Sequence, residues 1–443
     1  MTDQNSLETN DIKDPRIIVI DSPPGFGKTS YAIQKINKSD EDKKIIYITP
    51  FLSEVKRIID SCPNKHFVQP NVNIGRGSKM NHLLSLVLEG KNIASTHALF
   101  SDITDELINA LRLNNYTLYL DEVFQTIEVY DITSGTNEKK ESVTRQDMQS
   151  LIAKGYVDIA DNYIVSWIDK DNMLSKYEPL KNLADRNSLY FVNGSLLLWS
   201  FPIEVFREGI FDQIFIMTYR FDSQIQSLYY QYFDLIYKKY NVYKEGEIYK
   251  IEESFDNYKE NEWKEKIKNK IHIVDNDKLN RIGDVYYDAN NQPYKSALSV
   301  SWYENNPEML KKVNDNISNF FKHYTDGKAS TRLWTSFKEH SKKLKSKSVS
   351  MKCWLPLNAR AVNDYADRTS LCYPINRYTN PFINQFFSKR DIRINQDEYA
   401  VTEMIQWIWR SAIRNFEDVT IYIPSQRMRV LLQKFLNNED ISF

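Results

Sequence analysis

Short apolar runs recur along the chain, and each gives way to a polar or turn-forming pair. Ile17-Ile18-Val19-Ile20 runs into a Pro/Gly-rich loop, Ile45-Ile46-Tyr47-Ile48 ends at Thr49-Pro50, and Ile93-Ala94-Ser95 ends at Thr96-His97. Thr117-Leu118-Tyr119-Leu120 ends at Asp121-Glu122, and Ile214-Phe215-Ile216-Met217 ends at Thr218-Tyr219. Runs of this length are the pattern of strands buried on both faces. Helical stretches follow several of them, at 31–36, 51–60 and 223–237. Strand, helix and strand in succession predict a parallel α/β sheet, whose ligands lie at the carboxyl ends of the strands. Further strand-sized runs at 333–337, 371–373 and 419–423 predict a second such unit, and Ile271-His272-Ile273-Val274 reads as a short strand in the stretch that connects the two.

The first strand end carries the clearest chemistry. Residues 22–29 read SPPGFGKT, between the run at Ile17 and the helical stretch that starts near Tyr31. A buried strand turning into a helix aims backbone N–H groups and the positive end of the helix at one spot, a cradle for phosphate. Gly25 and Gly27 let the backbone approach a polyphosphate, Lys28 reaches its terminal phosphates, and the Thr29 hydroxyl is suited to Mg²⁺. The candidate ATP-binding residues are therefore Ser22, Pro24, Gly25, Phe26, Gly27, Lys28, Thr29 and Ser30. Ser22 stands where the usual motif has its first glycine. A plain Gly/Pro loop that happens to contain Lys-Thr is the alternative.

A nucleotide site also needs acidic groups at a neighbouring strand end. Asp121 and Glu122 meet that need: Asp121 would hold Mg²⁺, directly or through water, and Glu122 would polarise the attacking water as general base.

With these two motifs the chain resembles the superfamily 2 helicases and translocases, Asp121-Glu122-Val123-Phe124 corresponding to their DExx motif. Thr49-Pro50 and Ser95-Thr96-His97 resemble the strand-end motifs that grip a nucleic-acid backbone, which makes Thr49, Pro50, Thr96 and His97 candidate nucleic-acid contacts. Residues 402–415 read TEMIQWIWRSAIRN, an uninterrupted helical pattern that sets Gln406, Arg410 and Arg414 along one side. The resemblance implies that these three face the γ-phosphate from a second domain and act catalytically, together with Glu122. Trp409 replaces the family's glycine, and the last arginine sits one residue further on. Residues 358–367 resemble the fifth motif, with Arg360 a nucleic-acid phosphate contact and Asn363 and Asp367 coupling residues. Ala361 departs from its usual glycine. Thr218 corresponds to the third motif and would couple the acidic pair to the nucleic-acid side.

The resemblance implies an α/β fold of two RecA-like parallel-sheet domains with an insertion and an inter-domain connector. The expected boundaries are a disordered tail over 1–14, a first domain over 15–240 with an insertion at about 130–190, a connector over 241–296, and a second domain over 297–443. The implied activity is ATP-dependent helicase or translocase action with ATP and Mg²⁺ as cofactors and nucleic acid as partner, DNA favoured over RNA. The compact size, the Lys/Asn/Ile/Tyr-rich composition and the arginine helix look similar to bacteriophage-encoded DEAD/DEAH-like helicases, which suggests replication or recombination. A packaging-type motor ATPase and a non-motor ATP-dependent switch or kinase are the alternatives.

Bulk properties add little. The 443 residues suit two domains, and the net charge of −1 requires any nucleic-acid contact to be a local basic track, such as the lysine-rich stretch at 338–352. Three cysteines without CxxC spacing and six scattered histidines offer no zinc motif and fit a reducing cytoplasm, of the host if the chain is phage-encoded. The polar, acidic start lacks the features of a signal peptide, and no apolar run approaches a bilayer span. Nothing in the pattern specifies an oligomeric state.

Overall fold

A computed structural model describes residues 16–74, 77–130, 145–168, 177–192, 196–253, 258–287, 293–357 and 364–443. The strands of the first half are β1 (Ile17–Asp21), β2 (Ile45–Thr49), β3 (Ile93–Thr96), β4 (Tyr116–Asp121), β5 (Ile127–Val129), β6 (Val157–Ile159), β7 (Val165–Trp167), β8 (Leu189–Val192), β9 (Leu196–Ser200) and β10 (Phe211–Thr218). They are followed by β11 (Lys238–Glu245), β12 (Ile248–Glu253), β13 (Ile271–Ile273), β14 (Tyr286–Tyr287), β15 (Pro293–Tyr294), β16 (Arg332–Trp334), β17 (Ser370–Cys372) and β18 (Val419–Tyr422).

The larger sheet has the order β12-β11-β1-β10-β4-β2-β3. All its pairings are parallel except that of the edge strand β12 with β11. Its two faces carry separate cores, divided by the period of two along each strand. Ile17, Val19, Ile46, Ile48, Leu118, Leu120, Ile214 and Ile216 belong to one. Ile18, Ile20, Ile45, Tyr47, Tyr119, Phe215 and Met217 belong to the other. Helices on both faces explain why these strands read as continuous apolar runs.

A second sheet, β13-β18-β17-β16, is parallel throughout and sits in its own large core, which includes Trp334, Tyr373, Trp407 and Tyr422. The chain thus has the α/β class and the two parallel-sheet domains expected from its sequence. Within the proposed insertion, helices Arg145–Ala153 and Glu178–Asp185 and the β6–β7 hairpin surround a small core that includes Met148, Leu151, Val165 and Leu180. Strands β5, β9 and β8 form an antiparallel sheet beside it.

Two local expectations change. The helix expected over 223–237 is confined to Ile225–Tyr232, because the following chain turns at Asp234 with φ +56° and enters β11. The hairpin β11–β12 crosses the expected start of the connector at 241 and lies on the edge of the larger sheet. Val242 is its one buried residue, so main-chain pairing rather than apolar periodicity defines it.

Candidate functional site

The carboxyl ends of β1, β10 and β4 converge. Strand β10 lies between the other two: Asp21 pairs with Thr218, and Met217 with Asp121. The main chain ties the ends together, since Ser22 N–H donates to the Thr218 carbonyl at 3.2 Å and Glu122 N–H to the Met217 carbonyl at 2.9 Å. Thr218 is fully buried between the loop and the acidic pair, its hydroxyl without a hydrogen-bond partner.

The loop after β1 passes Gly25 and Gly27 at φ +86° and +91°, in the left-handed region that favours glycine, and enters the helix Lys28–Lys38. Lys28 Nζ donates to the Ser22 and Pro23 carbonyls at 2.6 and 3.1 Å. Burial lowers its pKa, against the pull of Glu122, Asp21 and Asp121. Thr29 Oγ1 lies 3.5 Å from Asp121 Oδ2, to which the Tyr47 hydroxyl also donates, at 3.1 Å. Ser22 is buried and its hydroxyl accepts from Val242 N–H at 2.8 Å, so its side chain anchors β11 rather than facing the cleft. Phe26 packs between the cores of the two domains.

Asp121 is buried. Burial first, and the neighbouring Glu122 charge second, push its carboxyl up to about 7. Glu122 has φ +66°, unusual for a residue with a side chain and costing about 1–3 kcal/mol. Arg410, from the second domain, brings Nη2 to 3.3 Å from Glu122 Oε1.

The helix expected to carry this arginine ends before it. It spans Gln396–Ile408, and the chain then breaks: Ser411 is extended and caps a separate 3-10 turn, Ala412–Asn415. Ala412 N–H is held by the Arg368 carbonyl at 2.9 Å, a tertiary contact that competes with continued helix. Gln406, Arg410 and Arg414 therefore do not share one helical side. They nevertheless line one cavity of about 260 Å³ with Pro24, Gly25, Gly27, Lys28, Thr29, Ser30, Asp121 and Glu122. Burial and the nearby Arg410 lower the Arg414 pKa.

Several lining residues gave no usable signal in the sequence. Glu54 and Arg57, ion-paired at 3.1 Å, enter from the helix Leu52–Ser61; Tyr219, Tyr249 and Trp409 complete the wall. Only the placement of the Leu52–Ser61 helix after β2 could have pointed to the first two.

The remaining candidates lie around the cleft. Thr49 is fully buried and its hydroxyl has no hydrogen-bond partner, while Pro50 is half-buried beside it. Thr96 caps the helix His97–Ser101 by accepting from Leu99 N–H at 3.4 Å. His97 Nε2 lies 2.9 Å from the Asp121 carbonyl, which links the end of β3 to the acidic strand. Asp367 is exposed and pairs with Arg368 at 3.2 Å, close in sequence to the contact that holds Ala412. Arg360 and Asn363 lie outside the described residues.

The cavity fits a polyphosphate. Lys28, Arg57, Arg410 and Arg414 line it against Glu54, Asp121 and Glu122. Arg410 Nε and Gln406 Nε2 are buried there without hydrogen-bond partners, donors of the type an anion would satisfy. Thr29 and Asp121 supply two oxygens, and Mg²⁺ takes one or two protein oxygens together with phosphate.

Fold and site define a two-domain α/β protein with a cleft between its domains that is lined by the glycine-containing loop after β1. Residues 228–436 match the family described as the YonV C-terminal Rossmann-like domain, and residues 139–199 match the YonV middle domain. The chain is 37% identical over 436 residues to the SPbeta prophage-derived uncharacterized protein YonV of Bacillus subtilis (strain 168), covering 96% of this chain and 99% of that protein. It belongs to the YonV family. Among solved structures, the DUF1998 helicase MrfA bound to DNA and AMPPNP superposes with a TM-score of 0.37 at 11% identity, over 97% of this chain and 49% of that one. The same helicase bound to DNA gives 0.34 at 9% identity. The chain spans about half the length of those structures, and superposition at this level carries no functional argument. No helix among the described residues is long and apolar enough to cross a membrane.

Proposed function

We propose that the chain is an ATP-dependent helicase or translocase of the superfamily 2 type, with DNA as the favoured track and a role in phage replication or recombination. One observation carries the reading: Gln406, Arg410 and Arg414 of the second domain line the same cavity as the loop lysine Lys28 and the acidic pair of the first. A site assembled from two domains can convert the occupancy of its cleft into relative domain movement.

In this reading the Gly25–Ser30 backbone and Lys28 bind the triphosphate, and Glu122 orients the attacking water and takes its proton. Arg410 and Arg414 neutralise charge that develops on the transferred phosphoryl group, and Gln406 senses it. Mg²⁺, held by Thr29 and Asp121, would supply charge neutralisation at the phosphates. Thr218 lies on the strand between loop and acidic pair, which supports a coupling role, shared with Asp367 and Asn363. Thr49, Pro50, Thr96, His97 and Arg360 remain the proposed nucleic-acid contacts. Superfamily 2 membership rests on the motifs at 22–29, 121–124 and 402–415.

The test is ATP hydrolysis by the full chain without nucleic acid and with single-stranded DNA, duplex DNA or RNA. Stimulation by DNA supports the motor reading. Hydrolysis unaffected by every nucleic acid would replace it with a switch or kinase.

A further inference from the structure

No adenine-recognition motif is legible in the sequence before Ile17, and the structure places an aromatic ring beside the phosphate loop from another part of the chain. The β11–β12 hairpin folds back beside the phosphate loop and lays the ring of Tyr249 over Gly27. A Cβ built on Gly27 would fall 2.0 Å from Cε1 and 2.6 Å from Cδ1 of that ring, so any side chain at 27 would displace the tyrosine. The hairpin is pinned to the helix Lys28–Lys38 through Gln34: its Nε2 donates to the Glu247 carbonyl and its Oε1 accepts from Tyr249 N–H, both at 2.9 Å. Tyr249 is half-buried and lines the 260 Å³ cavity, to which the helix Leu52–Ser61 contributes Glu54 and Arg57.

That cavity is smaller than the roughly 300–1,000 Å³ of sites that enclose whole small ligands. It suits the phosphate chain, which leaves the nucleoside to emerge at the rim. In the phosphate-site reading Arg410, Arg414 and Glu122 take the terminal phosphate; Gly27 and Ser30 line the cavity beside Tyr249, while the other ring of the wall, Trp409, stands over Gly25 and precedes Arg410. A second observation bears on selectivity. Gln34, on the helix that follows the loop, uses one amide N–H and its carbonyl oxygen to hold the hairpin, which fixes its side chain against the backbone rather than toward a ligand.

We propose that Tyr249 is the nucleobase platform of the site, stacking on the base of a bound nucleoside triphosphate without reading its edge. The inference rests on the phosphate-site reading above and adds the group that anchors the nucleoside. Stacking accepts any base, because every base has a π-face.

The experiment compares Tyr249→Ala, Tyr249→Phe and the unsubstituted chain in ATP and GTP hydrolysis, with tripolyphosphate as a competitor that has no base. Tyr249→Ala should raise KM about tenfold for ATP and GTP alike. It should leave the inhibition constant of tripolyphosphate within about twofold, and Tyr249→Phe should behave like the unsubstituted chain. Unchanged KM in Tyr249→Ala overturns the proposal. So does an equal loss for ATP and tripolyphosphate, which would make Tyr249 a support for the loop. If the unsubstituted chain and Lys28→Ala alike show no affinity for nucleotide, the phosphate-site reading falls and takes this inference with it.

Discussion

Arg410 Nη2 and Glu122 Oε1 lie 3.3 Å apart, although 288 residues separate them in the chain. One group is the proposed transition-state cation and the other the proposed general base, so each holds the other's charge inside the cleft. Glu122→Gln should still bind ATP while hydrolysing it about 100-fold or more slowly. Equilibrium nucleotide binding measured beside single-turnover hydrolysis checks this; normal turnover would remove Glu122 from the base role.

Arg410→Ala and Arg414→Ala should lower kcat by about 100-fold while changing ATP affinity far less, because charge neutralisation matters most when charge develops. Steady-state kinetics separates the two quantities. Equal losses in affinity and turnover would recast these arginines as ground-state contacts.

Lys28→Ala should abolish hydrolysis and leave the fold intact. Its ammonium donates to the Ser22 and Pro23 carbonyls, but these lie in a loop rather than in the sheet. Circular dichroism and thermal unfolding monitor the fold; retained hydrolysis would refute the phosphate role.

Asp121 should leave a signature in the pH dependence of stability. Its carboxyl sits up to about 7 in the native state, against an ordinary value of about 3.9 in an unfolded chain. The native state therefore holds the proton more tightly, and stability falls as pH rises from about 4 to about 7, then levels off. Asp121→Asn should remove that slope in protein kept free of nucleotide and divalent metal. An identical Tm-against-pH curve for the two proteins would contradict the burial argument.

Arg220 sits in the loop after β10 and pairs with Glu398 on the second-domain helix Gln396–Ile408 and with Glu260 at 3.2 Å. Removing the guanidinium takes the ion pair from Glu398, while Glu260 keeps Lys264 at 3.8 Å and the Tyr219 hydroxyl, so Arg220→Ala should cost about 1–3 kcal/mol. Thermal denaturation reads the change, and an unaltered Tm would show that the clasp contributes nothing net.

Local sequence was sufficient wherever a short period or a turn decides structure. The apolar runs at Ile17, Ile45, Leu118 and Ile214 identify strands covered on both faces, and the SPPGFGKT loop and the Asp121-Glu122 pair mark strand ends. The helix over 402–415 was misread because propensity cannot anticipate Ala412 N–H being taken by the Arg368 carbonyl, or Ser411 capping a new turn. The β11–β12 hairpin was hidden for a related reason: an edge strand with one buried residue is specified by backbone pairing, which leaves little apolar pattern.

The amino-acid order by itself determined the apolar strands, the glycine-containing loop at 22–29 and the acidic pair, because each is a property of neighbouring residues and their side-chain period. Only the tertiary structure decided that Arg410 faces Glu122, that Arg414 reaches the cleft from a separate turn, and that Tyr249 covers Gly27. Those relationships depend on how two sheets and an edge hairpin pack across hundreds of residues, and packing at that range leaves no mark in any short window of the chain.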